Sequence, residues 1–462
     1  MGSEWKTVCI DQIKSPQKYS CVGGPFGSSL SRKHYVDSGV PVIRGVNLSG
    51  DIFSESEFVF VSPEKSQELQ RNMAFRGDLV FTQRGTLGQV ALIPENSDYE
   101  CYVVSQSQMK LTVDPTKADP YFIYSYFRSK EAKTVIEKSA IVGGVPHINL
   151  GILKDFKLRL PPLSVQQAVS KIAKDFDRKM LLNNQINQTL EQMAQTLFKS
   201  WFVDYDPVID NALDVGNPIP EVFETRVERR KAVRESADFK PLPDDVRQLF
   251  PSEFEEIELG WVPKGWSRCV LSDIARYGKE RIDVESLSLD NYISTENMLA
   301  GRKGVEIAAK LPTVKTVPAY SKGYVLVSNI RPYFKKIWLA NELGGYSNDV
   351  LGFAPTYEGT EEYIFNLLYQ DQFFDYMMTT SKGSKMPRGD KKAIADWEVV
   401  MPPHLLMQFY SQQVASYYEQ SKVRNLESKT LEKLRDTLLP KLISGELRLD
   451  SPEVEHAKAL ME

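Results

Sequence analysis

The chain has 462 residues, 42% of them hydrophobic and 26% charged, with a formal net charge of −4. Such a length points to about three domains, and no apolar run approaches the roughly 18 residues that a membrane span needs. The start, Met1-Gly2-Ser3-Glu4-Trp5, has neither the basic nor the apolar region of a signal peptide, so a cytoplasmic location with no membrane contact is expected.

From the N-terminus, a glycine-rich polar loop, Gly23-Gly24-Pro25-Phe26-Gly27-Ser28-Ser29, runs on to Arg32-Lys33-His34-Tyr35. Strand-like runs at residues 78–81 and 89–93 flank a second loop, Thr82-Gln83-Arg84-Gly85-Thr86-Leu87-Gly88. Residues 121–138 read as an aromatic-rich amphipathic helix, followed by a third loop, Gly143-Gly144-Val145-Pro146-His147-Ile148-Asn149.

Residues 163–201 contain no proline or glycine, and apolar side chains recur at Val165, Val169, Ile172, Phe176, Ile186, Leu190, Met193 and Leu197. Steps of three and four make a heptad seam that needs a partner helix, and the polar Lys179 and Asn183 within it can fix register. The counterpart, residues 405–443, is apolar at Leu431, Leu434, Leu438 and Leu442. At about 1.5 Å per residue each helix is on the order of 60 Å long, enough to separate two domains. The alternative is that each packs on its own globular domain as an ordinary core helix. Residues 204–265, with prolines, acids and the run Arg226-Val227-Glu228-Arg229-Arg230-Lys231, read as a connector whose mixed charge is a solvated helix face.

The second half repeats the first. Asp155, Pro161-Pro162, Thr189-Leu190-Glu191 and Leu197 recur 241 positions later as Asp396, Pro402-Pro403, Thr430-Leu431-Glu432 and Leu438. Nearer the front, Ile43 and Asn47 recur 250 positions later as Ile293 and Asn297, and Trp5, Ile10 and Ile13 recur 261 positions later as Trp266, Leu271 and Ile274. A shrinking offset means a shared frame with a shorter interior in the second copy, the pattern expected of two different readouts. Strand-like and helical runs ahead of each long helix give an α+β domain in each half.

Metal and cofactor chemistry is not indicated. Cys9, Cys21, Cys101 and Cys269 form no Cys-x-x-Cys pair, and His34, His147, His404 and His456 show no ligand spacing. No phosphate-binding loop is present, and neither Asp119-Pro120-Tyr121 nor Pro161-Pro162-Leu163 makes the Asn/Asp-Pro-Pro-aromatic turn of an amino methyltransferase. The glycine-rich loops instead suit DNA: glycine admits a phosphate, arginine can grip guanine, and glutamine or asparagine can pair with adenine. The first copy offers Ser28, Arg32, Lys33, Tyr35, Arg44, Asn47, Gln83, Arg84, Thr86, Gly144, His147 and Asn149. The second offers Asn297, Asn329, Arg331, Tyr333, Lys335, Lys336, Lys382, Lys385, Arg388 and Lys391 on basic, aromatic-interleaved loops. Turn geometry or plain solvation accounts for such loops as well. The acidic net charge restricts any DNA surface to local patches.

Residues 139–149, the Pro161-Pro162-Leu163 ahead of a Gln166-Gln167 helix start, the stretch 190–204 and Leu438-Leu439-Pro440-Lys441-Leu442-Ile443-Ser444-Gly445-Glu446-Leu447 resemble Type I restriction-modification specificity (S) subunits, over nearly the whole chain. The resemblance implies two target-recognition domains, residues 1–162 and 266–403, separated by two antiparallel coiled-coil helices, residues 163–204 and 404–447. A connector, 205–265, and a tail, 448–462, complete the chain. It further implies double-stranded DNA as ligand, a bipartite gapped site, two methylation subunits and restriction subunits as partners, and no catalysis in this chain. S-adenosylmethionine would be bound by the methylation partner, with no cofactor here. A coiled-coil scaffold with repeated protein-binding domains and no DNA readout is the competing reading.

Overall fold

The computed structural model describes residues 5–50, 52–383 and 385–461. They fall into two compact units: the chain up to Asn184 with the segment from Asn425 onward, and Gln185–Arg424.

In the first unit, strand Lys6–Cys9 pairs antiparallel with Lys157–Leu160, tying the front of the domain to the segment before the first long helix. A four-stranded antiparallel sheet runs in the order Cys21–Gly23, Gln108–Leu111, Leu79–Thr82, Val90–Leu92. A five-stranded sheet runs Tyr35–Val36, Val59–Val61, Val40–Ile43, Cys101–Val104, Met73–Phe75, with its Val40–Ile43 and Cys101–Val104 pair parallel. Both inner strands of the four-stranded sheet are buried on both faces: Leu79–Thr82 is accordingly almost wholly apolar, while Gln108–Leu111 buries two polar side chains, one of them Lys110, which is paired with Asp78 at 3.0 Å.

The second unit is built on the same frame. Ser267–Val270 pairs with Glu398–Met401 as Lys6–Cys9 pairs with Lys157–Leu160. Its first sheet, Ala275–Tyr277, Val350–Pro355, Val325–Ser328, Ile337–Leu339, has the strand order of its counterpart. The helices Pro120–Arg128, Lys130–Lys138 and Leu150–Asp155 return as Glu361–Tyr369, Asp371–Thr379 and Lys391–Ala395. The copies diverge in the second sheet. There the parallel pair survives as Tyr292–Ile293 with Gly344–Tyr346, but the two-strand extension Tyr35–Val36 and Val59–Val61 has no counterpart beside it, and a strand Arg281–Asp283 is added at the opposite edge, on Thr316–Tyr320. Most of the drift in the repeat offset falls in this stretch, between Ile13 and Gln83 of the first copy.

The long helices span Leu163–Phe198 and His404–Ser444, the first continuing through one π-helical turn, Lys199–Val203. Each contributes to both units. Val169, Ile172, Phe176 and Met180 share the first core with Leu431, Leu438, Leu439, Leu442 and Ile443, and Leu434 packs against it. Within this unit Asp177 meets Arg435 and Asn183 meets Glu427, so residue numbers rise on one helix as they fall on the other: the pair is antiparallel. Asn183, buried in the seam, donates to Glu427 Oε2 at 2.8 Å and to Ser428 Oγ at 3.2 Å. A polar residue that must find a specific partner across the helices fixes their register.

Beyond Asn183 the seam departs from the expected positions. Ala194 and Phe198 are buried in the second core, while Met193 is 47% exposed and Ile186, Leu190 and Leu197 are half-buried. Met193 is therefore not a core seam residue. The facing side chain is the bulky Tyr410, whose hydroxyl donates to the Ala194 carbonyl at 2.9 Å, and only a small residue admits that approach.

The segment read as a connector is ordered and belongs to the second core through Val208, Phe223, Val246, Phe250 and Val262. Its charged run lies on a helix that leaves Glu228, Arg229 and Lys231 exposed, as expected, but its arginines also hold that helix in place. Arg229 bonds Asp204 and Asp206 at 3.0 Å, Arg230 bonds Asp210, and Arg234 pairs with Asp214, tying helix Glu224–Arg234 to helix Asp206–Val215. The tail likewise forms a helix, Pro452–Met461, whose Val454 and Ala457 are fully buried in the first core.

Burial pushes the carboxyl of Glu362 up to about 7, with Glu361 and Glu419 adding to the shift and Lys322 opposing it. The folded state then binds a proton that the unfolded state releases near the ordinary glutamate value of 4.5, so stability falls as pH rises from about 4.5 through 7. The second unit should lose on the order of 3 kcal/mol over that window, and Glu362→Gln should flatten the dependence. Denaturant midpoints at pH 5 and pH 8 check this; an equal fall in the variant would contradict it.

Candidate nucleic-acid interface

In the first unit the inner strand Leu79–Thr82 delivers the chain into the Gln83–Gly88 loop from a rigid base. Gln83 N donates to Ser107 O at 2.7 Å, and Ile148 N donates back to Gln83 O at 3.0 Å. Gly85 N reaches Pro146 O, and Arg84 bridges to His147, which in turn bridges to Ile141 and closes a hairpin. Gly85 and Gly144 have φ of +103° and +101°, where glycine alone is unstrained. Gln83 is half-buried, while Arg84, Thr86 and Gly144 are exposed. His147 keeps its ring partly exposed, with Nδ1 3.4 Å from Val145 O.

The Gly23–Ser29 loop lies against the same turn. Gly24 N donates to Gln108 O at 2.8 Å, and a Cβ on Gly24 would sit 1.9 Å from Ser105 O, so the close approach requires glycine. Gln106 Nε2 holds the loop through Leu30 O at 2.9 Å. Ser28, Arg32 and Lys33 are exposed on it and beyond it, and Phe26 stands 79% exposed. Tyr35 opens an edge strand and packs, half-buried, against a core cluster of the five-stranded sheet.

The second unit repeats the clamp bond for bond. Gly389 N donates to Asn329 O at 3.2 Å as Ile148 does to Gln83, and Arg331 N donates to Pro387 O at 2.8 Å as Gly85 does to Pro146. Ile330 bridges to Arg388, and Arg388 to Lys382, closing the equivalent hairpin. Side chains on this common backbone differ: His147 is replaced by Arg388, and Ile141 by Lys382. Arg331 and Lys335 adopt left-handed backbone, φ +51° and +50°, on either side of the turn Pro332–Phe334. Each such non-glycine residue costs on the order of 1 kcal/mol, strain of the kind concentrated at functional sites. The turn displays Tyr333 and Phe334, rings 4.7 Å apart and both exposed.

Several cations here already face carboxylates. Lys335 Nζ lies 2.7 Å from Asp371, which also pairs with Arg302, and the two hold the Asp371 carboxyl down at about 2. Lys382 Nζ lies 2.7 Å from Asp390, and Arg388 pairs with Asp349. Exposed pairs of this kind are worth about 0–1 kcal/mol, so exchanging the carboxylate for a phosphate costs little, and an acidic chain can still carry a basic loop. Arg331, Lys385 and Lys391 are exposed, with no side-chain partner among the described residues.

Other candidate side chains serve the fold. Asn47 is fully buried: its Oδ1 accepts from Arg44 N at 2.9 Å and its Nδ2 donates to Ser54 O and Ser56 O. Asn297, 3% exposed, repeats the device with Ser294 N, Tyr292 O and Glu306 O. Asn329, also buried, donates to Gly389 O. None of the three can reach a base without unmaking these bonds, which corrects their assignment as base readers. Asn149 is the N-cap of helix Leu150–Asp155, and its counterpart Asp390 caps Lys391–Ala395. Their exchange keeps a cap and needs no change of base to explain it. Arg44 is half-buried and donates to Glu57 O. Lys336 is held by Thr295 O at 2.6 Å, and burial pushes its ammonium pKa down. Asp349 and Asp371 were missed as partners of the basic loops because both are distant in sequence; the exposed Val142 and Val145 were legible as apolar residues around a Gly143-Gly144 pair.

Among the described residues no group of three or more His, Cys, Asp or Glu side chains is placed to hold a metal ion. No helix among them is long and apolar enough to cross a membrane.

Comparison with known proteins gives one consistent result. The family model for the Type I restriction modification DNA specificity domain matches residues 25–192. The Type I restriction enzyme HindI specificity subunit of Haemophilus influenzae is 24% identical over 412 residues, 80% of this chain and 87% of that protein. The MjaIX specificity subunit of Methanocaldococcus jannaschii is 21% identical over 454 residues, covering 95% and 94%. In structure, the S subunit of a Type I restriction-modification system from M. genitalium matches with a TM-score of 0.51 at 14% identity, over 95% of this chain and 96% of that one, a likeness of fold.

Proposed function

We propose that the chain is a specificity subunit of a Type I restriction-modification system, the family its domain match and its relatives point to, and that it reads a bipartite DNA site, one half with each unit. It is the non-catalytic, DNA-recognising member of such a complex. One observation carries the bipartite reading: two loop clamps with the same backbone bonds but different side chains stand at equivalent places in two copies of one frame. A common scaffold with divergent tips is what two different half-sites require. Adenine methylation, with S-adenosylmethionine, falls to two methylation subunits, and cleavage to restriction subunits, all cytoplasmic. The duplicated frame offers each methylation subunit an equivalent docking place.

The reading is tested by co-expressing the chain with its methylation subunit and mapping modified adenines across the host genome. A gapped two-part motif is expected; a continuous motif would overturn the bipartite reading, and a stable complex that marks nothing would favour a scaffold without DNA readout.

A phosphate-binding role for the second loop gives a quantitative expectation. Lys385→Ala with Lys391→Ala should lower the slope of log affinity against log salt by about 0.9 for each phosphate no longer neutralised. Fluorescence anisotropy of the complex with a random-sequence duplex between about 50 and 200 mM salt reads this directly. An unchanged slope would remove these lysines from the phosphate surface.

A further inference from the structure

We propose that the tips of the two clamped hairpins, Val142 and Val145 in the first unit and Met386 in the second, are apolar base-reading groups that help set the sequence of each half-site. The inference rests on the DNA-reading function above and names side chains that carry it. Val142 is 82% exposed, Val145 57% and Met386 55%, and Met386 occupies the place of Val145 on the repeated hairpin. Leaving such side chains in water forgoes the roughly 1.5–3 kcal/mol that burial returns for each. Here the exposure is built in. Ile141 N donates to His147 O at 2.8 Å and Lys382 N to Arg388 O at 3.0 Å, so each tip is held out on closed backbone bonds. Around Val142 and Val145, Gly143 and Gly144 have nothing within 4 Å of where a Cβ would stand, so the tip is open on its surface.

The charge beside the tips decides the occupant. Arg84 and His147 lie at the base of the first hairpin, and Lys382, Lys385 and Arg388 lie on the second. Two valines or one methionine offer far less than the roughly 800 Å² per partner of a stable protein interface. One or two apolar groups do suffice against a base edge, where the thymine methyl is the apolar feature of the major groove. Cations at the hairpin base can hold phosphates while the tip meets bases, a division between positioning and reading.

The test uses the complex of the full chain with its methylation subunit, once its motif has been mapped. Val142→Ser with Val145→Ser should weaken binding to a motif-bearing duplex about tenfold or more, the order expected when apolar groups of this size are removed from a base edge. Binding to a random-sequence duplex should change less than about twofold, since phosphate binding carries no sequence information, and one half of the modified genomic motif should become degenerate. Met386→Ser should act on the other half. Equal weakening on both duplexes, unchanged binding to both, or failure of complex assembly, which would mark the tips as protein-binding, would each overturn the proposal. A wild-type complex that marks no motif would instead overturn the DNA-reading function itself. Melting temperatures of the variants should match the parent, because the replaced side chains are exposed.

Discussion

A chain ending at Arg424 will lose the fold of its first unit while the second keeps its core. The segment beyond that point supplies Leu431, Leu438, Leu439, Leu442, Ile443, Val454 and Ala457 to the first core, each no more than 6% exposed. At about 1.5–3 kcal/mol for each large aliphatic side chain buried, their loss is comparable to the roughly 5–15 kcal/mol by which a domain is ordinarily stable. None of them belongs to the second core. Hydrogen exchange should therefore show strands Leu79–Thr82 and Gln108–Leu111 unprotected in the truncated chain, with Val325–Ser328 and Val350–Pro355 still protected. Retained protection in the first pair, or equal loss in both, would contradict the assignment. A milder form is Leu438→Ala, which should cost about 2–5 kcal/mol, confined to the first unit.

Asp177→Ala should destabilise that unit by about 3–5 kcal/mol, the range for breaking a buried ionic group by removing one partner. Asp177 stands on the first long helix and accepts from Tyr121 Oη at 2.5 Å, Arg128 Nη1 at 2.7 Å and Arg435 Nη1 at 3.4 Å. These donors come from the recognition domain and from the last long helix, so one carboxylate joins three segments far apart in sequence. All four groups are largely out of water, and burial followed by the Asp177 charge pushes the Tyr121 hydroxyl pKa well up. Removing the carboxylate leaves two buried guanidiniums short of a shared counter-charge. Asp177→Asn, which keeps the shape and one acceptor, should lose less. Denaturant titration followed by probes in the first unit measures both. A cost under about 1 kcal/mol, the ordinary value of a surface pair, would show that the cluster is hydrated and carries little.

The frame was largely legible because it is written in local patterns. Proline pairs, heptad steps and the recurrence at 241 positions gave the duplicated α+β domains and both long helices, whose periodicity reflects burial on one face. Sharing of each helix between two cores was not legible. Apolar spacing tells that a face is buried, not against what, and so Met193 was placed in a seam that Ala194 occupies opposite Tyr410. The order of the connector and the tail was missed for a related reason: helix Asp206–Val215 opens on Asp206-Pro207, which reads as a turn, and Pro452–Met461 buries only Val454 and Ala457, too few to raise a periodic signal over its charges. The loops carrying Gln83, Arg84, His147, Arg331 and Arg388 stood out in the sequence because glycine, proline and basic residues mark them; that they pair as clamps, through the bridges Arg84–His147 and Ile330–Arg388, was not legible. Within those loops and beside them, asparagine was misleading. A polar side chain that can pair with adenine can equally close a backbone turn, and Asn47 and Asn297 do the latter in both copies.

The central claim, one half-site for each unit, is tested most directly by a chimera. Residues 25–149 are exchanged for the corresponding stretch of another specificity subunit, and the adenines modified by the resulting complex are mapped across a genome. The account predicts that one half of the motif changes while the other half and the gap between them stay as they were. A motif altered in both halves, or unaltered in either, would contradict it.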